Sequence, residues 1–194
     1  GKIIPEKLMR AHGASAQRGK ESSSASSEPS ELTNKDIPFY NPDLDNLVSQ
    51  VSIKKPKTYK RGKKRIICVD CGMKNNILRS FLSRDITVVR VPWNYDFIAK
   101  KEKFDGIFMS NGPGDPAMLT PLHAIIQKAM ALKKPIFGIC LGCQIMALAT
   151  GAKTYKLKFG HRAQNQPCID VETGRCYITS QNHGFAIDEK TLKP

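Results

Sequence analysis

Gly138-Ile139-Cys140-Leu141-Gly142 sits between an apolar run, Pro135 to Ile139, and a run with helical character, Leu141 to Thr150. A cysteine with glycine two positions before and two after, where a strand gives way to a helix, has the layout of a nucleophile elbow. The turn is so tight that its flanks accept no side chain. A helix starting at Leu141 would aim its free N–H groups and positive dipole end at the sulfur. That arrangement predicts a lowered thiol pKa and donors for a developing oxyanion, each worth about 3 kcal/mol in the transition state. The bland alternative is a buried cysteine in a glycine-flanked core turn.

Outward from the elbow, the chain predicts strands that alternate with helices. Ile66 to Val69 reads as a buried strand, and Asn75 to Arg84 as a helix with Ile77, Leu78, Phe81 and Leu82 on one face. Ile86 to Val91 and Gly106 to Met109 are further strands. Asp85 stands where the left-handed conformation is needed between helix and strand. Thr120-Pro121 is an N-cap and first-turn pair for a helix reaching about Lys133. Pro135 to Ile139 is a fourth strand, and Thr154 to Phe159, Gln166 to Val171 and Cys176 to Ser180 read as others. The fold class expected is α/β, a mostly parallel sheet with helices on both faces, and sites at the carboxyl ends of its strands. By that rule the loop Asn111-Gly112-Pro113-Gly114-Asp115-Pro116 and the elbow open on the same sheet edge. Alone, the loop is a phosphate cradle or only a tight turn.

With 194 residues, one ordinary domain plus a tail is expected. Residues 1–64 read as the tail of a preceding domain plus a basic linker, and residues 65–194 as the domain proper. Ser22 to Ser30 is serine-rich and expected to be disordered, and Asp36 to Lys57 suggests an extended arm. Gly1 is no initiator methionine, so a longer parent is expected. No apolar stretch approaches the roughly 18 to 20 residues that span a bilayer, and Gly1 to Ser30 lacks the apolar core of a secretion signal. Six cysteines without small-domain spacing suit a reducing compartment, so a cytoplasmic location is expected.

The formal net charge of +14 comes largely from Lys54 to Arg65. That run reads as a localisation signal, a phosphate-binding arm, a solvated linker or a docking face for an acidic partner. Without interleaved aromatics or a zinc-finger pattern, the linker and docking readings outweigh nucleic-acid binding. Cys68-Val69-Asp70-Cys71 and Cys140-Leu141-Gly142-Cys143 are both C-x-x-C pairs, but their separation far exceeds that of a zinc ribbon, and no metal site is expected. A cysteine nucleophile needs a base, and the histidines are His12, His123, His161 and His183. His12 is in the tail, His123 on a helix, and His161 has no evident mate. His183 ends a strand and could approach the elbow, with no acid placed to orient it.

Gly138 to Gln144, Ser110 to Pro116 and Ser180 to Phe185 together resemble the class I glutamine amidotransferase domain of carbamoyl phosphate synthetase. Val69 to Lys74, Val91-Pro92-Trp93-Asn94-Tyr95, Gly151 to Tyr155 and Asn165-Gln166-Pro167 carry the same resemblance, nearly continuous from Arg65 to Pro194. Lys7 to Gly13 is similar to the end of the family's preceding small domain. The tryptophan-containing stretch leans toward the eukaryotic form that feeds pyrimidine synthesis. The resemblance implies a flavodoxin-like core, attack by Cys140 on the glutamine side-chain amide, and a glutamyl thioester. Ammonia would pass to a synthetase portion, fused or separate, that uses bicarbonate, ATP and a divalent metal, with no cofactor in this domain. Gly112 and Leu141 would supply oxyanion N–H groups, and Gly114, Gln144, Asn182, Gly184 and Phe185 would grip glutamine.

His183 is then a positioning residue. The family's catalytic histidine and glutamate fall in a His-Pro-Glu motif beyond Phe185 that this sequence does not include, so the segment alone is expected to be inactive. Cys143 replaces a common histidine, and Ala163-Gln164 a glycine-led pair. The competing classes are a free-standing amidase or peptidase, a non-catalytic glutamine-binding or basic interaction module with a vestigial elbow, and a nucleic-acid binder with salt-dependent affinity.

Overall fold

A computed structural model describes residues 40–192; the expected disorder of Ser22 to Ser30 and the family-like stretch Lys7 to Gly13 lie outside them. Parallel pairing sets the frame. The strands are β1 (Lys57–Tyr59), β2 (Arg65–Asp70), β3 (Thr87–Pro92), β4 (Gly106–Met109) and β5 (Ile136–Gly138), in the order β1-β3-β2-β4-β5. Within this sheet β2, β3, β4 and β5 run parallel, and β1 is antiparallel. The helices are α1 (Leu47–Val51), α2 (Asn75–Leu82), α3 (Thr120–Met130) and α4 (Leu141–Ala149). Among the described residues no helix is long and apolar enough to cross a membrane.

The alternating side chains of the strands divide between two clusters, as a covered sheet requires. Ile67, Val69, Val89, Val91, Ile107 and Met109 face one side, where Leu122, Ile126, Leu141 and Ile145 of α3 and α4 complete the core. Cys68, Val88 and Phe108 face the other, against Leu78 and Phe81 of α2. The expectation of helices on both faces therefore holds, with α2 alone among the described helices on the second. That helix covers little of the β5 edge, so Phe137 remains 64% exposed, stacked on Phe108 at 6.2 Å between centroids. Asp85 does adopt a left-handed φ of 54°. Thr120 is already helical, and Leu119 takes the N-cap position with no side-chain cap.

Two expectations are corrected. Residues 43–57 are not a free arm: Val48 is buried in the larger core cluster, Ser52 is buried, and the Ile53 N–H donates to the Asp70 carboxylate at 2.8 Å. Within the basic run, Lys57–Tyr59 forms β1, with charged Lys57 exposed on a sheet edge where another chain would otherwise pair. The three strands expected after α4 are two long ones, β6 (Lys153–Ile169) and β7 (Cys176–Asp188). They form a separate antiparallel ribbon whose register shifts twice, between Lys156 and His161 and between Ala163 and Gln166.

Candidate active site

The carboxyl ends of β2, β4 and β5 converge on one edge, and β7 closes the space from the ribbon. A cavity of about 600 Å³ lies there. It is lined by Gly112 and Gly114 after β4, Cys140 and Gln144 of the elbow and α4, and Asn182, Gly184 and Phe185 of β7. Of the residues expected at the site, only Leu141 is absent from the lining. Its side chain is buried in the core, while its N–H favours the thiolate form of Cys140.

The backbone at Cys140 has the elbow's strain. Its φ is 51° and its ψ is −106°, a conformation sparsely populated for a residue with a side chain. The surrounding packing enforces it. A Cβ at Gly138 would overlap the Gly142 carbonyl carbon, and one at Gly142 would overlap the Met109 carbonyl oxygen. The Ile139 N–H donates to Met109 O at 3.1 Å, and the Gln144 N–H to Cys140 O at 3.1 Å, so the turn is tied to β4 on one side and to α4 on the other.

Burial pushes the Cys140 thiol up, and nearby Cys143 adds to this; the Leu141 N–H and Lys74 act in the opposite direction without prevailing. The expectation of a lowered pKa is therefore corrected: desolvation outweighs the helix terminus. Because the thiolate is the nucleophile, less of it is present at neutral pH. Alkylation of Cys140 by iodoacetamide, followed by peptide mapping, is expected to rise with pH along a curve displaced upward from that of free cysteine. Lys74→Ala should displace it further, and a profile at or below the free-cysteine curve contradicts the assignment.

A loop held from below carries Lys74 to the cavity rim. Asp70, fully buried at the end of β2, accepts from the Gly72 N–H at 3.0 Å and the Met73 N–H at 2.8 Å, and pairs with Arg90 at 2.8 Å. Sequence pattern alone assigns Lys74 no role; its signal is the buried acid four positions earlier. Arg162 and Asn111 also line the cavity, unforeseen from the sequence. Asn111 Oδ1 is buried with no hydrogen-bond partner among the described residues, leaving an acceptor ready for a bound donor. Gln144 does more than line the wall: its Nε2 donates to Phe185 O at 2.7 Å, fastening α4 to the ribbon.

The second C-x-x-C pair opens to solvent at Cys140 and Cys143, while Cys68 and Cys71 are buried. Burial beside Asp70 pushes the Cys68 thiol up to about 12 and raises Cys71 as well. The described histidines are engaged away from the sulfur. His123 Nε2 meets Pro116 O at 2.9 Å, and His183 Nδ1 meets Phe185 O at 2.8 Å. His161, for which the sequence offers no mate, faces His183 across the ribbon.

The sequence profile described as glutamine amidotransferase class-I matches residues 67–194. The chain belongs to the class-I glutamine amidotransferase family. Multifunctional protein pyr-3 of Neurospora crassa is 50% identical to this amidotransferase chain over an alignment of 168 residues that covers 80% of the chain and 9% of that protein. The Schizosaccharomyces pombe carbamoyl phosphate synthase arginine-specific small chain is 48% identical over 162 residues, 82% of this chain and 39% of the relative. The chain thus spans a small part of the multifunctional relative and well under half of the small chain. Among solved structures, a GMP synthase component from Thermoplasma acidophilum superposes with a TM-score of 0.54 at 22% identity. The overlap covers 65% of this chain and 67% of that one, a likeness in fold.

Proposed function

We propose that this amidotransferase chain is the glutamine-hydrolysing part of a carbamoyl phosphate synthetase. The observation that carries the reading is the strained elbow at Cys140 opening into a cavity walled by Gly112, Gly114, Gln144, Asn182, Gly184 and Phe185. The relatives named above supply the reaction it would serve.

In this reading the Cys140 sulfur attacks the glutamine side-chain carbon. The carbonyl oxygen takes up negative charge and accepts from the Leu141 and Gly112 N–H groups. Collapse forms the glutamyl thioester and releases ammonia, and water then frees glutamate and the thiol. Gly114, Gln144, Asn182, Gly184 and Phe185 hold the amino-acid end, and His183 positions Phe185 rather than acting as base. Ammonia goes to a synthetase portion, in the same chain or a separate one, which holds the ATP and divalent metal and works on bicarbonate. A cytoplasmic setting fits the free state of the cysteines.

Because the described histidines are bonded elsewhere, covalent capture is a better readout for the isolated chain than turnover. A glutamine-like electrophile should label Cys140 at least about tenfold faster than Cys143, since binding in the cavity raises the local concentration at one sulfur only. Free glutamine should compete. Equal labelling of the two thiols, or labelling indifferent to glutamine, points instead to an interaction module with a vestigial elbow.

A further inference from the structure

The ribbon brings three donor atoms together, one of them on His183, which lines the cavity. His161 on β6 is in register directly opposite His183 on β7, and His161 Nδ1 lies 3.3 Å from His183 Nε2. Gln181 Oε1 lies 2.9 Å from the same Nε2. The hydrogen bonds around the cluster constrain how its neutral side chains are arranged. His183 Nδ1 donates to Phe185 O at 2.8 Å, so in the neutral imidazole Nε2 carries the lone pair. The Thr179 hydroxyl donates to Gln166 O at 2.9 Å and so accepts from Gln181 Nε2 at 3.0 Å, which turns Gln181 Oε1 toward His183. With His183 neutral, its Nε2 lone pair faces the Gln181 oxygen, an arrangement that a proton or a metal cation satisfies.

We propose that His161 Nδ1, His183 Nε2 and Gln181 Oε1 form a binding site for a divalent transition-metal ion of the imidazole-preferring class, such as Zn²⁺ or Ni²⁺. Donors bound at about 2.05 Å stand about 3.3 Å apart at tetrahedral angles and about 2.9 Å apart at right angles, and the spacings here are 3.3 Å between the nitrogens and 2.9 Å from Nε2 to the Gln181 oxygen, as in a distorted site. The Nδ1 hydrogen bond of His183 to a main-chain carbonyl is the supporting contact that metal-bound imidazoles use to set their tautomer. Neighbouring Arg162, whose charge would oppose a cation, is held by the Phe159 carbonyl at 2.6 Å. Among the described residues no group of three or more His, Cys, Asp and Glu is placed to hold a metal ion, so the proposed site has only two imidazoles and one amide oxygen as protein donors. His183 also lines the Cys140 cavity, so the bound ion narrows its mouth. This last consequence, inhibition, rests on the proposed glutaminase reading; the binding itself does not.

The probe is Ni²⁺, which favours imidazole over the exposed thiols, titrated calorimetrically into the reduced 194-residue chain. One ion per chain is expected, with affinity reduced at least about tenfold in His161→Asn and retained in Cys143→Ser. Circular dichroism of each variant checks its fold. Equal affinity in the wild type and His161→Asn overturns the site, as does loss confined to Cys143→Ser, which would place the ion on sulfur. No binding by the wild type also overturns it, leaving a hydrogen-bonded network only. Separately, Ni²⁺ should slow electrophile labelling of Cys140 in the wild type but not in His161→Asn. Binding without slowing sinks the inhibitory consequence and leaves the site standing.

Discussion

Replacing Cys140 by serine in a longer enzyme containing this domain is expected to lower glutamine-dependent carbamoyl phosphate formation at least about a thousandfold. Synthesis from added ammonia should continue at the parent rate. The split follows from the proposed reaction, in which the sulfur at the elbow attacks the substrate amide and the Leu141 N–H favours its thiolate form. A serine hydroxyl in the same strained turn is a far weaker nucleophile without an effective base. Measuring both activities on one preparation separates loss of the nucleophile from loss of fold. Equal decline of the two would indicate a structural role for Cys140, and undiminished glutamine use would remove it from the mechanism.

The second large effect concerns stability. Asp70 has no exposure, pairs with the largely buried Arg90, and accepts from the Ile53, Gly72 and Met73 N–H groups. Asp70→Ala leaves the guanidinium without its counter-charge and three N–H groups without their acceptor. Breaking a buried pair from one side costs about 4 kcal/mol, equivalent to a Tm decrease of about 10 °C in a domain of this size. Removing both charges, as in Asp70→Leu with Arg90→Met, should recover part of that loss, because no isolated charge then remains buried. Thermal denaturation of the two variants beside the parent is the test, and a decrease under about 1 kcal/mol for Asp70→Ala would contradict this account. Loosening of the loop should also release Lys74 from the rim, so the alkylation profile of Cys140 should move upward in the same variant.

The parts legible in the sequence are those fixed by local sterics. Gly138 and Gly142 announce the elbow because the backbones they approach leave no room for a Cβ. The β-branched runs and the amphipathic Asn75 stretch announce the parallel sheet because their periodicities are set by burial on known faces. What cannot be read depends on relations between distant segments. β1 is hidden among lysines, since its residues answer to a sheet edge rather than to a core. The His161 and His183 pairing depends on where the ribbon's bulges fall, and a register shift cannot be counted along one strand. The direction of the Cys140 thiol shift escapes the sequence for a related reason. The helix terminus is local, whereas the desolvation that outweighs it comes from the assembled cavity.

The cavity has two walls of different origin. One, with Gly112 and Cys140, is built on the ends of the five-stranded sheet; the other, with Asn182, Gly184 and Phe185, belongs to a ribbon hydrogen-bonded as a sheet of its own. A buried bond from Gln144 to the Phe185 carbonyl joins them. Substitutions along the ribbon can therefore reshape what the pocket admits while leaving the geometry of the reacting sulfur intact, a division of labour that lets selectivity drift at little risk to chemistry.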